Sequence, residues 1–105
     1  MTIEKFLINL GVDPHHIGFD YIVMGARIMA RQPHAKLMAV YADIARAHGT
    51  SASCVERAMR YAILTTVDRY GAEHCGRLLG QTPDLQGGYT NARFLALVAR
   101  QTMPR

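Results

Sequence analysis

Between Thr50 and Ile63 the chain reads TSASCVERAMRYAI, and here the side chains capable of chemistry crowd together. Arg57 and Arg60 carry planar, permanently charged forks that match two acceptors at once, on a phosphate or on the O6 and N7 edge of guanine. Glu56 can accept from cytosine N4 or hold an arginine in place. Thr50, Ser51 and Ser53 supply hydroxyls that cap a helix or meet a phosphate. Wound at ~100° per residue, Ser53, Cys54, Arg60, Tyr61 and Leu64 fall within roughly 60° of Arg57. Val55, Met59, Ala62 and Thr66 fall on the opposite side, with Ile63 and Tyr70 flanking it. One face is therefore free to pack while the other presents arginines, a glutamate, a serine and a tyrosine. The same periodicity also describes an ordinary amphipathic surface helix with Glu56 and Arg60 as an i,i+4 pair.

What tips the balance is the segment in front. AVYADIARAHG, from Ala39 to Gly49, reads as a helix ending on glycine, followed at once by the hydroxyl-rich turn. Two helices that cross sharply need a short turn containing glycine. The second of them needs a capped start whose free amides point at phosphates. Small residues at Ala42, Ala45, Ala52 and Ala58 let helices approach. The pattern is that of a helix-turn-helix whose recognition helix, about 52–69, enters a major groove of double-stranded DNA.

Other reactive groups form no comparable set. His15 and His16 are adjacent, His34, His48 and His74 fall on separate segments, and His74-Cys75 has no CxxC or HxxxH partner, so no metal site is expected. No glycine-rich phosphate cradle is present, no cofactor is implied, and nothing recommends an enzyme. Cys54, at the start of a helix whose dipole lowers a thiol pKa, is a candidate redox thiol.

The elements that must position these groups are helical. Punctuation at Gly11, Asp13-Pro14, Gln32-Pro33, Gly49, Gly71, Gly80 and Gly87-Gly88 separates segments with three-and-four apolar spacing. The spacing predicts helices over about Thr2–Leu10, Phe19–Arg31, His34–His48, Ala52–Tyr70, Ala72–Leu79 and Asn91–Thr102. The fold class is all-α with about six helices, the third and fourth forming the helix-turn-helix. Met24, Met29, Met38, Met59 and Tyr41 are expected in the core. Gln81 to Tyr89 reads as a mobile surface loop with Gly87-Gly88 as its hinge and Tyr89 exposed.

A chain of 105 residues, half of them hydrophobic, suits one domain, 1–105, with a core that needs no staples. No segment approaches the ~18 to 20 apolar residues of a membrane span, and MTIEKFLINL is no signal peptide. A cytoplasmic location with Cys54 and Cys75 as free thiols is expected. The net charge of +4 is unevenly placed. Residues 1–56 carry five basic and five acidic groups, whereas residues 57–105 carry seven arginines against Asp68, Glu73 and Asp84.

The same stretches resemble a known family, the C-terminal DNA-binding effector domains of the sporulation-initiation response regulators of endospore-forming bacteria (the stage 0 sporulation protein A family). TSASCVERAMRYAI is similar to the signature TTASRVERAIRHAI, and YADIARAHGT to YPDIAKKFNT. GVDPHHIGFDYI resembles GVPAHIKGYLYL, and YTNARFLALVA resembles PTNSEFIAMVA, so the likeness runs in one order along nearly the whole chain. It implies a transcription regulator of six helices, driven in full-length members by a phosphorylated receiver domain that is not part of this sequence. It further implies homodimers on tandem DNA boxes and contact with the RNA polymerase sigma subunit. Carried over residue by residue, Glu56, Arg57 and Arg60 become DNA contacts, Ser51 and Ser53 phosphate contacts, and Tyr61 a member of the same face. The chain departs from the pattern at Cys54 (arginine there), Tyr61 (histidine), Leu64 (an acid) and Arg93 (the glutamate of TNSE, which removes a reciprocal capping box). The segment before the third helix is also about four residues shorter than the family's. Cys54 and Leu64 favour an alternative, an interaction module with impaired DNA binding that competes for polymerase or for dimer partners.

Overall fold

Helix ends in this chain are written by residues that satisfy free backbone amides and carbonyls. The computed structural model describes residues 1–84 and 88–104, and these form six helices and no strand. The helices are α1 (Ile3–Leu10), α2 (Ile17–Arg31), α3 (Leu37–His48), α4 (Ala52–Tyr70), α5 (Ala72–Leu79) and α6 (Asn91–Thr102). Thr2, Ser51 and Thr90 each accept an amide hydrogen from the residue three positions on. Gly11, Gly49 and Gly80 close α1, α3 and α5 in the left-handed conformation. Thr90 still caps α6 without the capping box, and Arg93 turns its guanidinium toward Asp84 at 3.6 Å.

Two starts differ from the sequence expectation. Helix α2 begins at Ile17 rather than Phe19, because the His16 Nδ1 accepts from the Gly18 amide and serves as its cap. Helix α3 begins at Leu37 rather than His34. The Ala35 amide donates to the Gln32 carbonyl in a separate turn, and Lys36, in extended backbone, provides the first carbonyl of the helix.

The core lies where α2 packs on α4 and α6 and where α3 packs on α4. Leu7, Leu10, Ile22, Ile44, Met59, Ile63, Leu79, Phe94 and Leu95 are fully enclosed, each contributing ~1.5–3 kcal/mol by removal from water. Tyr41 and Met59 are core as expected, and Met24 and Met29 pack against its edge. Met38 does not: it is 65% exposed. It lies in the first turn of α3, one residue off the Leu37–Tyr41–Ile44 stripe, and helical spacing turns it outward.

The segment after α5 also departs from expectation. Asp84 and Gly88 exchange backbone hydrogen bonds of 2.9 and 3.3 Å. Tyr89 is 1% exposed, stands edge-on to Phe94 and donates its hydroxyl to the Gln81 carbonyl at 2.6 Å. That bond joins Tyr89 to the start of the expected loop, and Tyr89 is core because its ring fills space beside α6. The remainder of that loop, including Gly87 of the expected hinge, lies outside the described residues. No helix among the described residues is long and apolar enough to cross a membrane.

Candidate nucleic-acid interface

The approach to α4 is set by backbone geometry. Gly49 adopts φ 65° and ψ 38°, and its amide and that of Thr50 both donate to the Ala45 carbonyl. A Cβ at Gly49 would meet nothing within 4 Å, so the glycine is needed for its conformation and not for space. Two residues later Ser51 Oγ accepts from the Cys54 amide at 3.1 Å, which starts α4. That bond uses the oxygen of Ser51 as its acceptor.

Helix α4 is two-sided as the winding predicted. Val55, Met59, Ala62, Ile63 and Thr66 are buried, and the Thr66 hydroxyl returns to the Ala62 carbonyl at 2.7 Å. Ser53, Cys54, Glu56, Arg57, Arg60, Tyr61 and Leu64 are all exposed. Tyr70 departs: half-exposed, it covers Gly11, where a Cβ would come within 2.3 Å of its ring. Among the described residues neither Arg57 nor Arg60 is paired with a carboxylate, so the i,i+4 pair of Glu56 with Arg60 is not formed. Among the described residues Arg57 makes one side-chain bond, a weak one from Nη2 to Cys54 Sγ at 3.7 Å. Both guanidiniums therefore keep their donors for a partner.

The residues flanking this face were not legible in the sequence. On one side the His16 ring lies over Tyr61 with centroids 4.9 Å apart. These two, with Gly11, Asp13, Thr65 and Arg69, border a small cavity of about 140 Å³. On the other side Glu56 and Arg60 share a groove with Leu37, Met38, Tyr41, Thr90 and Asn91. His16 lies 45 positions from Tyr61 and Asn91 lies 35 from Glu56, and no local spacing encodes such encounters. Ala58 was expected among the small residues that let helices approach. Its carbonyl faces Gly18 of α2, where a Cβ would come within 2.5 Å.

Cys54 is exposed at the first turn of α4. Hydrogen bonds from the Ser51 hydroxyl, then from Thr50 and Arg57, hold its thiol down at about 7. Cys75 is buried, and burial pushes its thiol up. The histidines hold no common site: His16 caps α2, His74 Nε2 lies 2.9 Å from the Leu10 carbonyl, and His48 meets Tyr21 edge-on. Among the described residues no three His, Cys, Asp or Glu side chains are grouped to hold a metal ion.

A glycine turn, a hydroxyl-capped helix and two unpaired guanidiniums on its outer face form a surface shaped for a negatively charged, edge-presenting partner. Residues 3–102 match the family described as Sporulation initiation factor Spo0A C terminal, and the chain belongs to that family, the DNA-binding effector domain of a sporulation-initiation regulator.

Proposed function

We propose that this chain is a sequence-specific, double-stranded-DNA-binding regulator of transcription acting in sporulation-type control, with α4 seated in the major groove. The single observation that supports this most is the outer face of α4, where Arg57 and Arg60 stand exposed and without carboxylate partners behind the Ser51 cap. In this reading Arg57 and Arg60 donate to guanine edges, and Glu56 accepts from cytosine or orients Arg60. Ser51 and Ser53 donate to phosphates, and Tyr61, braced on His16, closes the flank. The chain acts as one binding unit in the cytoplasm, as a homodimer on tandem boxes, with the polymerase sigma subunit as protein partner; no enzymatic step is assigned to it. Cys54 is the candidate redox thiol of this face, being exposed and lowered to about 7.

A second reading rests on Tyr61 and Leu64, which are 57% and 39% exposed on the same face. They suit a protein partner, so that the chain competes for polymerase or for dimer partners without reading DNA.

Selection from a randomised duplex library, followed by fluorescence anisotropy, separates the two. The regulator recovers a defined box, and its binding weakens steeply with salt. Arg57→Ala then costs ~1–3 kcal/mol on that box and less on a scrambled duplex. Equal binding to both duplexes removes base readout, and no binding at low salt leaves the interaction module.

A further inference from the structure

The amide of Asn91 ties three helices together at the level of the reading residues. Asn91 opens α6 and is 4% exposed. Its Nδ2 donates to the Tyr41 hydroxyl of α3 at 2.9 Å and to the main-chain carbonyl of Glu56 in α4 at 3.2 Å. In helical geometry the Glu56 carbonyl is also the acceptor for the Arg60 amide. One side chain thus grips the turn of α4 that carries Glu56, Arg57 and Arg60. Tyr41 is 2% exposed, and desolvation raises its phenol pKa, so the hydroxyl stays neutral as a partner.

Stability is a poor reason for this residue. Among the described residues the buried Asn91 Oδ1 has no hydrogen-bond partner, so the two bonds made by Nδ2 are set against an unsatisfied acceptor. Polar groups buried at such a cost are useful where direction matters. The buried side chains of α4 include Val55, Met59 and Ile63, whose apolar contacts are non-directional. A hydrogen bond to one carbonyl is directional.

We propose that Asn91 is a positioning residue for base readout: it fixes the rotation of α4 against α3 and α6 and touches no DNA itself. This rests on the reading of α4 as the recognition helix. Asn91→Leu keeps an apolar side chain of similar size in the slot and removes both bonds. It is compared with the parent by thermal unfolding and by anisotropy on the box selected by the parent and on a scrambled duplex. The expected result is a lowered melting temperature, since the Tyr41 hydroxyl loses its partner, with near-parental binding to the scrambled duplex and a loss on the order of tenfold on the selected box. Equal losses on both duplexes, or none on either, overturn the proposal.

If the leucine variant fails to fold, Asn91→Ala is measured in the same way. In the parent, the Asn91 side-chain amide resonances are followed by NMR during titration with each duplex. They shift with the selected box and not with the scrambled one if the amide transmits the docked geometry, and identical behaviour overturns the idea. A parent that selects no box refutes DNA reading itself, whereas a parent and an Asn91→Leu variant that discriminate equally refute only the role of Asn91.

Discussion

Gly18→Ala tests how closely the reading helix is held by the rest of the molecule. A Cβ at position 18 would lie 2.5 Å from the Ala58 carbonyl oxygen, 2.9 Å from the Ala62 Cβ and 3.0 Å from His16 Nδ1. Ordinary contact begins near 3.4 Å, and the first two of these neighbours have no rotamer by which to withdraw. Helices α2 and α4 must separate by most of an ångström or the cap at His16 must break. Overpacking of this kind costs ~1–3 kcal/mol, and a site without a flexible neighbour belongs near the top of that range. Alanine recovers up to ~1 kcal/mol through its better helix propensity, less in a first turn. The expected net loss is ~2 kcal/mol, which lowers the melting temperature by roughly 8 °C or more for a chain of this size. Urea unfolding followed by circular dichroism measures it, with an unchanged m-value showing that the unfolded state is not the cause. Gly25→Ala is the control. Its Cβ would meet the two methyls of Leu95 at 3.1 Å and Ile44 Cδ1 at 3.5 Å, a crowding relieved by a shift of a few tenths of an ångström, so the loss is under ~1 kcal/mol. A Gly18→Ala variant as stable as the parent, or more so, refutes the close crossing. Because Ala58 adjoins Arg57, the same variant is also expected to bind the selected box less well than Gly25→Ala does.

Gly49→Ala meets no atom yet must hold a left-handed conformation, so it loses ~1–2 kcal/mol in the same unfolding assay; no loss refutes the role of the turn. Burial pushes the Tyr89 phenol up to about 12. Its neutral form is favoured on folding, so its contribution is present below the ordinary tyrosine pKa and lost as pH climbs toward 12. The ultraviolet titration of the parent minus that of Tyr89→Phe should place this one step near 12, and a step near 10 contradicts the buried position. Its hydrogen bonds hold the Cys54 thiol down at about 7; on the proposed DNA face a thiolate repels phosphate, so DNA affinity is expected to fall as pH rises through that value. Cys54→Ser lacks this titration; superimposable affinity–pH profiles for the two proteins remove Cys54 from the interface.

Much of the candidate site could be read from local order. The face carrying Arg57, Arg60 and Glu56 followed from their spacing, and Ser51 and Gly49 announced the cap and turn that direct it. Family likeness sharpened the same stretch without changing its geometry. What escaped was whatever depends on a neighbour distant in sequence. The imidazole of His16 is at once a helix cap and a support for Tyr61, yet on its own it reads only as a loop residue. Tyr89 looks exposed in a polar, glycine-containing segment, and only the space beside Phe94 makes it core. Met38 and Met59 are equally apolar, and one lies in solvent while the other is sealed.

The sequence by itself determined six helices, the caps at Thr2 and Ser51 and the chemistry offered by the outer face of α4, since periodicity, capping and side-chain type act within a few residues. Tertiary structure alone decided how that face is held: Gly18 against Ala58, His16 against Tyr61, and Asn91 between Tyr41 and Glu56. Those pairings join residues 35 to 50 positions apart, and they exist because packing three apolar stripes into one core leaves few relative placements for the helices.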